Sequence, residues 1–315
     1  MTDFIKANAK KQFSTKIKSG LIIIPSLLLL FISVLFAPEI SKHVNDGLRL
    51  CFNVIIGAVF PFMILTDIIT ATSSFEKINW LRRLFQAAFK INGCAVSAFI
   101  VGIFCGFPLG VKVSVDLYKS GYISKEECER LIGFSNNSGP AFIISGIGAG
   151  MRGSITDGVI LYVSMVISSI ICGLILSRNK SPSYHKFNLT DMSYSFSKSV
   201  KSSSLNTLYV CGFIIFFSIV CGTLKSLIAN ELLFSLIIPF VEISNSAKAL
   251  SVSTTISRSG QMLLTSFAVS FSGISVHMQA KSFIIGTDIL MKKYYSTKLL
   301  QGVIASFITL ILVNI

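Results

Sequence analysis

Two clusters of helix-breaking residues lie within uncharged, apolar parts of the sequence. The surrounding runs, 91–111 and 131–151, are long enough to cross a bilayer. Proline lacks an amide hydrogen and glycine disfavours a helix, so each cluster predicts an interrupted helix with unpaired backbone groups. Such groups are stable at membrane depth only when they are buried in protein or line a wet cavity. The clusters are Gly106, Phe107, Pro108, Leu109 and Gly110, and Asn136, Asn137, Ser138, Gly139 and Pro140.

Polar groups at these clusters have the chemistry to bind a small solute. Asparagine amides donate and accept hydrogen bonds, Ser138 adds a hydroxyl, and broken helices present N–H groups suited to carboxylate or phosphate. The combination predicts a substrate site for a small polar or anionic solute. The alternative is that these residues satisfy one another between packed helices.

A second polar group follows Pro239. Glu242 comes after an apolar run, and an ionisable residue at membrane depth is costly and indicates function. Asn245 and Ser246 lie three and four positions later, so they share a helix face with it. Lys248 is either its ionic partner or an interfacial anchor. We expect Glu242 to be protonated, or neutralised by a coupling proton or sodium ion, when substrate is bound.

His277 ends another uncharged run, between Ser275 and Gln279, and we place all three in the predicted site. This histidine could titrate near neutrality; a structural role is the alternative. No HExxH, GxSxG, P-loop or GxGxxG motif occurs, so we do not expect an enzyme. The seven cysteines show no metal-ligand spacing and are interpreted as packing residues, so neither a metal nor an organic cofactor is expected.

The composition excludes a soluble globular protein. Of 315 residues, 52% are hydrophobic and only 13% are charged, and the mean hydropathy is +0.73. The net charge of +14 comes from Lys and Arg in short segments beside apolar runs. Positive-inside topology explains this pattern better than nucleic-acid binding. We expect an all-α, polytopic integral membrane protein in the lipid bilayer, with no nucleic-acid partner and an oligomeric state left open.

Charge and hydropathy also divide the chain into segments. Residues 1–43 hold a basic segment and an apolar run, either a signal peptide or, as we predict, a retained first helix with a cytoplasmic N-terminus. The first half is 44–177, the basic stretch 178–204 is a cytoplasmic linker, and the second half is 205–315.

Shorter segments carry topological signals of their own. The charge-balanced loop around 39–49 is expected outside, and the second half is expected to open with a helix at 205–229. The segment 76–90 predicts an amphipathic helix on the cytoplasmic surface. The neutral segment 112–130, in which Ser124 and Glu127 form a capping box, is placed outside by continuity.

Sequence echoes predict that the halves are related. Segment 59–67 resembles 237–245, with a proline at the same distance from a polar pair, and 106–110 loosely resembles 272–277. Duplication with breakers in corresponding places is typical of transporter binding sites. Chance similarity between apolar helices is the alternative. We therefore expect a transporter-like fold of two related halves, each with a broken or re-entrant helix.

Four motifs also carry a family resemblance. GFPLG followed by Lys112, NNSGPAFI, EISNS and SGISVHMQ resemble the sporulation integral membrane proteins of the YlbJ type. These carry the Gate, or nucleoside-recognition, domain shared with concentrative nucleoside transporters, spore maturation proteins and ferrous-iron transporter cores. The likeness covers roughly 59–295. Ser246 and Ser272 stand where glycines are expected in the family.

The resemblance implies a multi-pass protein of endospore-forming bacteria, in the cell membrane or the outer membrane around the forespore. It further implies transport of a small solute, with dipicolinate as the candidate. Two alternatives remain: a non-transporting membrane component of spore assembly, and a nucleoside transporter.

Overall fold

The computed structural model describes residues 36–71, 78–181 and 195–314, and this part of the chain is helical, without strands. The expected first helix lies largely outside the described residues. A π-helical turn (Cys51–Ile55), a 3-10 turn (Gly93–Ala95) and a π helix (Ala141–Met151) interrupt the α-helices. These are α1 (Ala37–Leu50), α2 (Ile56–Ala71), α3 (Asn79–Phe89), α4 (Val96–Phe104), α5 (Leu109–Lys119), α6 (Lys125–Ser135), α7 (Ile155–Ser177), α8 (Phe196–Leu227), α9 (Glu231–Val241), α10 (Ile243–Ser251), α11 (Arg258–Phe271), α12 (Gly273–Ile284) and α13 (Lys292–Val313).

Helices α4 and α5 fold back on each other as the first hairpin, whose tip is 105–108. Glycine makes the close approach possible: a Cβ at Gly102 or at Gly110 would overlap the Ser135 carbonyl of α6. The first predicted breaker cluster therefore ends a helix, as expected, and also reverses the chain. The peptide bond between Phe107 and Pro108 is cis.

Both ends of the first hairpin lie on one face of the molecule, which we call the linker face. At this face Glu126 at the start of α6 accepts a 2.6 Å hydrogen bond from Lys180, which follows α7. The Lys180 ammonium lowers the pKa of the Glu126 carboxyl by this hydrogen bond and by its charge. Arg130 donates to the Lys90 carbonyl at 2.8 Å, and Tyr118 donates to Asp288 at 2.7 Å.

The linker face corrects the predicted topology. Since Glu126 touches Lys180, the segment 112–130 and the linker that begins at 178 lie on the same side of the membrane. Placing the first outside and the second in the cytoplasm was wrong, because the chain reverses at the hairpin tip and returns to the face from which it entered. Positive-inside topology assigns this face to the cytoplasm. The capping box of Ser124 and Glu127 is confirmed.

Helices α9 and α10 form the second hairpin, which enters from the opposite face. Its ends meet there, because Ser253 donates to Glu231 at 2.8 Å. We call this face the far face. It also holds Asp157, which accepts hydrogen bonds from Arg152 at 3.0 Å and from Arg258 at 2.8 Å.

Each hairpin is followed by a broken helix and then by a continuous one. Helix α6 and the π helix are separated by 136–139, and α11 and α12 meet at Ser272, which has a positive φ of 81°. The second predicted breaker cluster is thus confirmed. In the described residues, α7, α8 and α13 are each long and apolar enough to span a membrane, or four spans exist if the pair Asn79–Phe89 and Gly93–Phe104, bent by 100°, counts as one.

The element order is that of an inverted repeat. A long helix, a re-entrant hairpin, a broken helix and a continuous helix follow in each half, and the hairpins enter from opposite faces. The hairpin tip at 105–108 corresponds to the tip at Glu242, and the break at 136–139 corresponds to the one at Ser272. Both predicted echoes joined elements of different types, because short apolar motifs do not distinguish such elements. The echo of 59–67 with 237–245 paired the long helix with the second hairpin, and the echo of 106–110 with 272–277 paired a hairpin tip with a broken helix.

The long helix of the first half is α1 and α2 joined through the π-helical turn, packed against α8. Helix α1 occupies the stretch 39–49 where a loop was expected, and α8 begins at Phe196 rather than at 205. Pro61 lies inside α2 without breaking it.

The expected amphipathic helix is confirmed as α3 for the described part of 76–90. It buries Phe85 and Phe89 and exposes Trp80. The Phe89 ring stacks on Phe134 of α6, with 4.9 Å between the ring centroids. This contact packs the end of α3 against α6.

Candidate functional site

The tips of both hairpins line one cleft. The space at this cleft is about 650 Å³ with its open mouth included, and α2, α8, α12 and the π helix form the rest of its walls. Four of the predicted site residues line it: Gly106, Gly139, Glu242 and Gln279. The fold therefore brings together residues that are more than 170 positions apart in the sequence.

At the first tip, close backbone packing shapes the cleft. Gly106 has a positive φ of 86°, and a Cβ there would lie 2.7 Å from the Gly139 amide nitrogen. Pro108 is the N-cap residue of α5, and Gly110 lies behind the tip against Ser135. Neither residue lines the cleft: Pro108 belongs to the tip, and Gly110 lies in α5 behind it.

Glu242 is the N-cap of α10 at the second tip. Its carboxylate accepts backbone hydrogen bonds from Ser244 at 3.0 Å and Asn245 at 2.7 Å, and a third from the Asn245 side chain at 2.9 Å. The sequence suggested that Glu242 lies inside a helix, but it lies between α9 and α10. Lys248 is exposed, and within the described chain it forms no ion pair with Glu242, which fits an interfacial anchor.

Most of the cleft wall is apolar and aromatic. Four phenylalanine rings line it, with aliphatic side chains between them, while Glu242, Ser244 and Gln279 supply polar side chains. Such a surface suits a flat aromatic body with a polar edge. The rings are those of Phe62, Phe104, Phe107 and Phe142.

The predicted asparagines face away from this cleft, in a buried network with α13. Asn136 donates to the Tyr294 hydroxyl at 2.9 Å, and that hydroxyl is 3.2 Å from Nδ1 of His277. Asn137 accepts a 2.8 Å hydrogen bond from Gln301. The alternative interpretation, that polar residues satisfy one another's hydrogen bonds between packed helices, therefore describes these contacts of Asn136 and Asn137. The cleft is formed by the hairpin tips instead.

Lys298 is the central group of this network, and the sequence reasoning missed it. The side chain is fully buried, and Nζ donates to the Asn136 carbonyl and to Gln301 Oε1, both at 2.7 Å. Tyr294, Lys298 and Gln301 are spaced by four and three residues, so they share one helix face. That spacing is the available signal, but Lys298 stands directly before the uncharged run that begins at Leu299, where a lysine is usually an interfacial anchor.

The other predicted residues lie around the breaks. The hydroxyls of Ser138 and Ser246 are buried without a hydrogen-bond partner among the described atoms. Ser275 accepts a long 3.4 Å hydrogen bond from Gln279, and Pro140 is the N-cap of the π helix. No disulfide joins the cysteines of the described chain, and no cluster of potential metal ligands occurs there.

Apolar spans, two re-entrant hairpins and broken helices define this chain as an all-α, multi-pass integral membrane protein. It is similar to the sporulation integral membrane protein YlbJ of Bacillus subtilis (strain 168), with 27% identity over 336 aligned positions covering 93% of this chain and 82% of that protein. This match confirms the resemblance to the YlbJ type. No family model and no solved structure matches the chain.

Proposed function

We propose that this protein is a carrier that moves a small polar or anionic solute with a flat aromatic body across the membrane. The observation that supports this most directly is the meeting of two oppositely inserted hairpin tips at one cleft. Inverted repeats with discontinuous helices at the midplane are a recurrent architecture of secondary transporters. In such a design, movement of either hairpin opens the cleft to its own side of the membrane.

The chemistry of the cleft favours a particular class of solute. Four phenylalanine rings offer stacking surfaces, and Gln279 offers an amide for hydrogen bonding. The Glu242 carboxylate would repel an anion, so a dicarboxylate requires a proton or a cation to enter with it. The proposed mechanism is therefore coupled binding, without an enzymatic step or a resident cofactor.

Dipicolinate, a small aromatic dicarboxylate, is our candidate solute. The similarity to a sporulation protein supports a role in sporulation, in the outer membrane around the forespore. A nucleoside also has a flat ring and a polar edge and is the second candidate. A non-transporting component of spore assembly is the alternative from another class.

Uptake into vesicles tests the proposal. Purified protein is reconstituted into vesicles loaded with terbium ions, whose luminescence rises when dipicolinate enters. We expect entry several-fold faster than in protein-free vesicles, with competition by nucleosides if they share the cleft. Rates equal to those of protein-free vesicles for both dipicolinate and nucleosides would support the non-transporting alternative.

A matched pair of variants locates the site. Phe142→Ala removes a ring from the cleft wall, whereas Phe216→Ala removes an exposed ring of α8 that is not part of the cleft. We expect slower uptake only in Phe142→Ala, because loss of a stacking surface weakens solute binding. Equal rates in both variants would argue against this cleft as the binding site.

A further inference from the structure

The break at 136–139 contains a carbonyl with an unusual partner. The last residues of an interrupted helix have carbonyl oxygens without intrahelical partners. The Asn136 carbonyl accepts a 2.7 Å hydrogen bond from the side-chain nitrogen of Lys298. In secondary transporters, unwound carbonyls of this kind coordinate a coupling cation.

Lys298 is buried without a counter-ion among the residues that the structure describes. Its relative exposure is 0%, and the ion pairs of the described chain do not include it. Its two hydrogen-bond partners are neutral oxygens, those of Asn136 and Gln301. Burying a charged lysine without an ionic partner costs free energy, and an ionisable residue that is kept at membrane depth despite this cost indicates a functional role.

Further oxygens surround the same break. Asn136 Oδ1 is buried and has no hydrogen-bond partner within the described chain. Within the described chain, Asn137 Oδ1 accepts a hydrogen bond from Gln301, whose own Oε1 accepts from Lys298. Without the lysine amine, the Asn136 carbonyl and Gln301 Oε1 would lose their shared donor, and carbonyl and amide oxygens are ligands that hard cations accept.

We propose that the Lys298 ammonium is a tethered cation that occupies the place of a free coupling ion at this break. The inference deepens the proposed carrier function, since it identifies which ion the site holds. A cation supplied by the chain itself at the 136–139 break removes the need for sodium there. Removing the lysine side chain should open an oxygen-lined site that accepts sodium or a small ammonium ion.

Thermal unfolding of the purified protein tests this without any transport measurement. Midpoints are compared at constant chloride concentration with sodium, methylammonium or the bulky choline as the cation. We expect a chain that keeps Lys298 but carries Glu242→Gln, which removes the proposed coupling carboxylate, to unfold at the same temperature in all three. Lys298→Ala should unfold at a lower temperature in choline and recover by about 4 °C or more in sodium or methylammonium.

Two variants serve as controls. Lys298→Met fills the space with an apolar chain, so it should unfold early in all three salts. Lys281→Ala removes an exposed lysine of α12 and should match the parent throughout. Absence of cation-specific recovery in Lys298→Ala would overturn the proposal.

The chain that keeps Lys298 decides the question even if Lys298→Ala is not recovered from membranes. A sodium-specific rise in the midpoint that persists in Glu242→Gln, which lacks the proposed coupling carboxylate, would show that a free cation binds in addition to the lysine and would overturn the proposal. Failure of the vesicle uptake assay leaves these stability results intact, so the two proposals fail independently.

Discussion

Glu242 both lines the cleft and caps α10, so its carboxylate links solute binding to the geometry of the second hairpin tip. All three of its hydrogen bonds come from N–H donors. The capping bonds hold both carboxylate oxygens as acceptors facing the helix end. A change of charge at this residue would therefore act on the tip as well as on the solute.

We predict that Glu242→Gln keeps solute binding but loses the dependence of uptake on a proton or sodium gradient. The amide has the same shape but cannot titrate. Uptake is measured in vesicles with the gradient imposed and then collapsed. Retained gradient dependence would rule out Glu242 as the coupling residue and leave His277 as the next candidate of the predicted site.

Glu242→Ala is the companion variant. It removes all three capping hydrogen bonds, and loss of an N-cap costs about 1 kcal/mol. We expect a lower unfolding midpoint for Glu242→Ala than for Glu242→Gln.

The first hairpin is an element defined by a break and by close glycine packing. Pro108→Leu restores an amide hydrogen at the tip and favours a continuous helix over 91–111. We predict that uptake falls while membrane insertion survives, because the tip no longer reaches the cleft.

Pro61→Leu is the matched control, since Pro61 lies within the unbroken helix α2 and is exposed. It should leave uptake unchanged. Equal uptake by Pro108→Leu and the parent, at matched protein levels, would contradict the role of the tip.

Glycine packing gives a prediction for stability. A Cβ at Gly102 would overlap the Ser135 carbonyl, so Gly102→Ala should force the hairpin from α6 and cost about 1–3 kcal/mol. Gly212→Ala in α8 meets nothing within 4 Å and should be neutral or slightly stabilising. Unfolding midpoints in detergent check both. Similar midpoints for the two variants would mean that the hairpin does not pack as closely as described.

For the whole molecule, the linker face and the far face give opposite expectations for chemical labelling. Cysteines introduced at Ser120 on the linker face and at Ser183 in the linker should react only from the cytoplasmic side. A cysteine at the exposed Thr254, beside the far-face contact of Ser253 and Glu231, should react from outside.

The side from which each introduced cysteine reacts is measured with impermeant thiol reagents on intact cells and on inverted vesicles. The native cysteines are blocked with a reagent beforehand, and their residual reaction is the background. Reaction of Ser120→Cys and Ser183→Cys from opposite sides would contradict the shared face. Reaction of Ser183→Cys from outside in intact cells would reverse the orientation of the whole chain.

The sequence by itself determined the features that depend on local chemistry. Hydropathy established the membrane environment, because burial of long uncharged runs needs no knowledge of partners. The breaks at 106–110 and 136–140 were predictable because proline and glycine act on their own backbone. The capping box at Ser124 was predictable for the same reason, since its two residues lie three positions apart.

The tertiary structure decided the features that depend on contacts between distant residues. Whether a broken helix crosses the membrane or turns back is fixed by what packs against it, as the Ser135 carbonyl does against Gly102 and Gly110. The side on which α6 begins became clear only from the contact of Glu126 with Lys180. Lys298 became recognisable as part of the break only through its hydrogen bond to the Asn136 carbonyl, 162 positions away. No local rule connects residues at that separation.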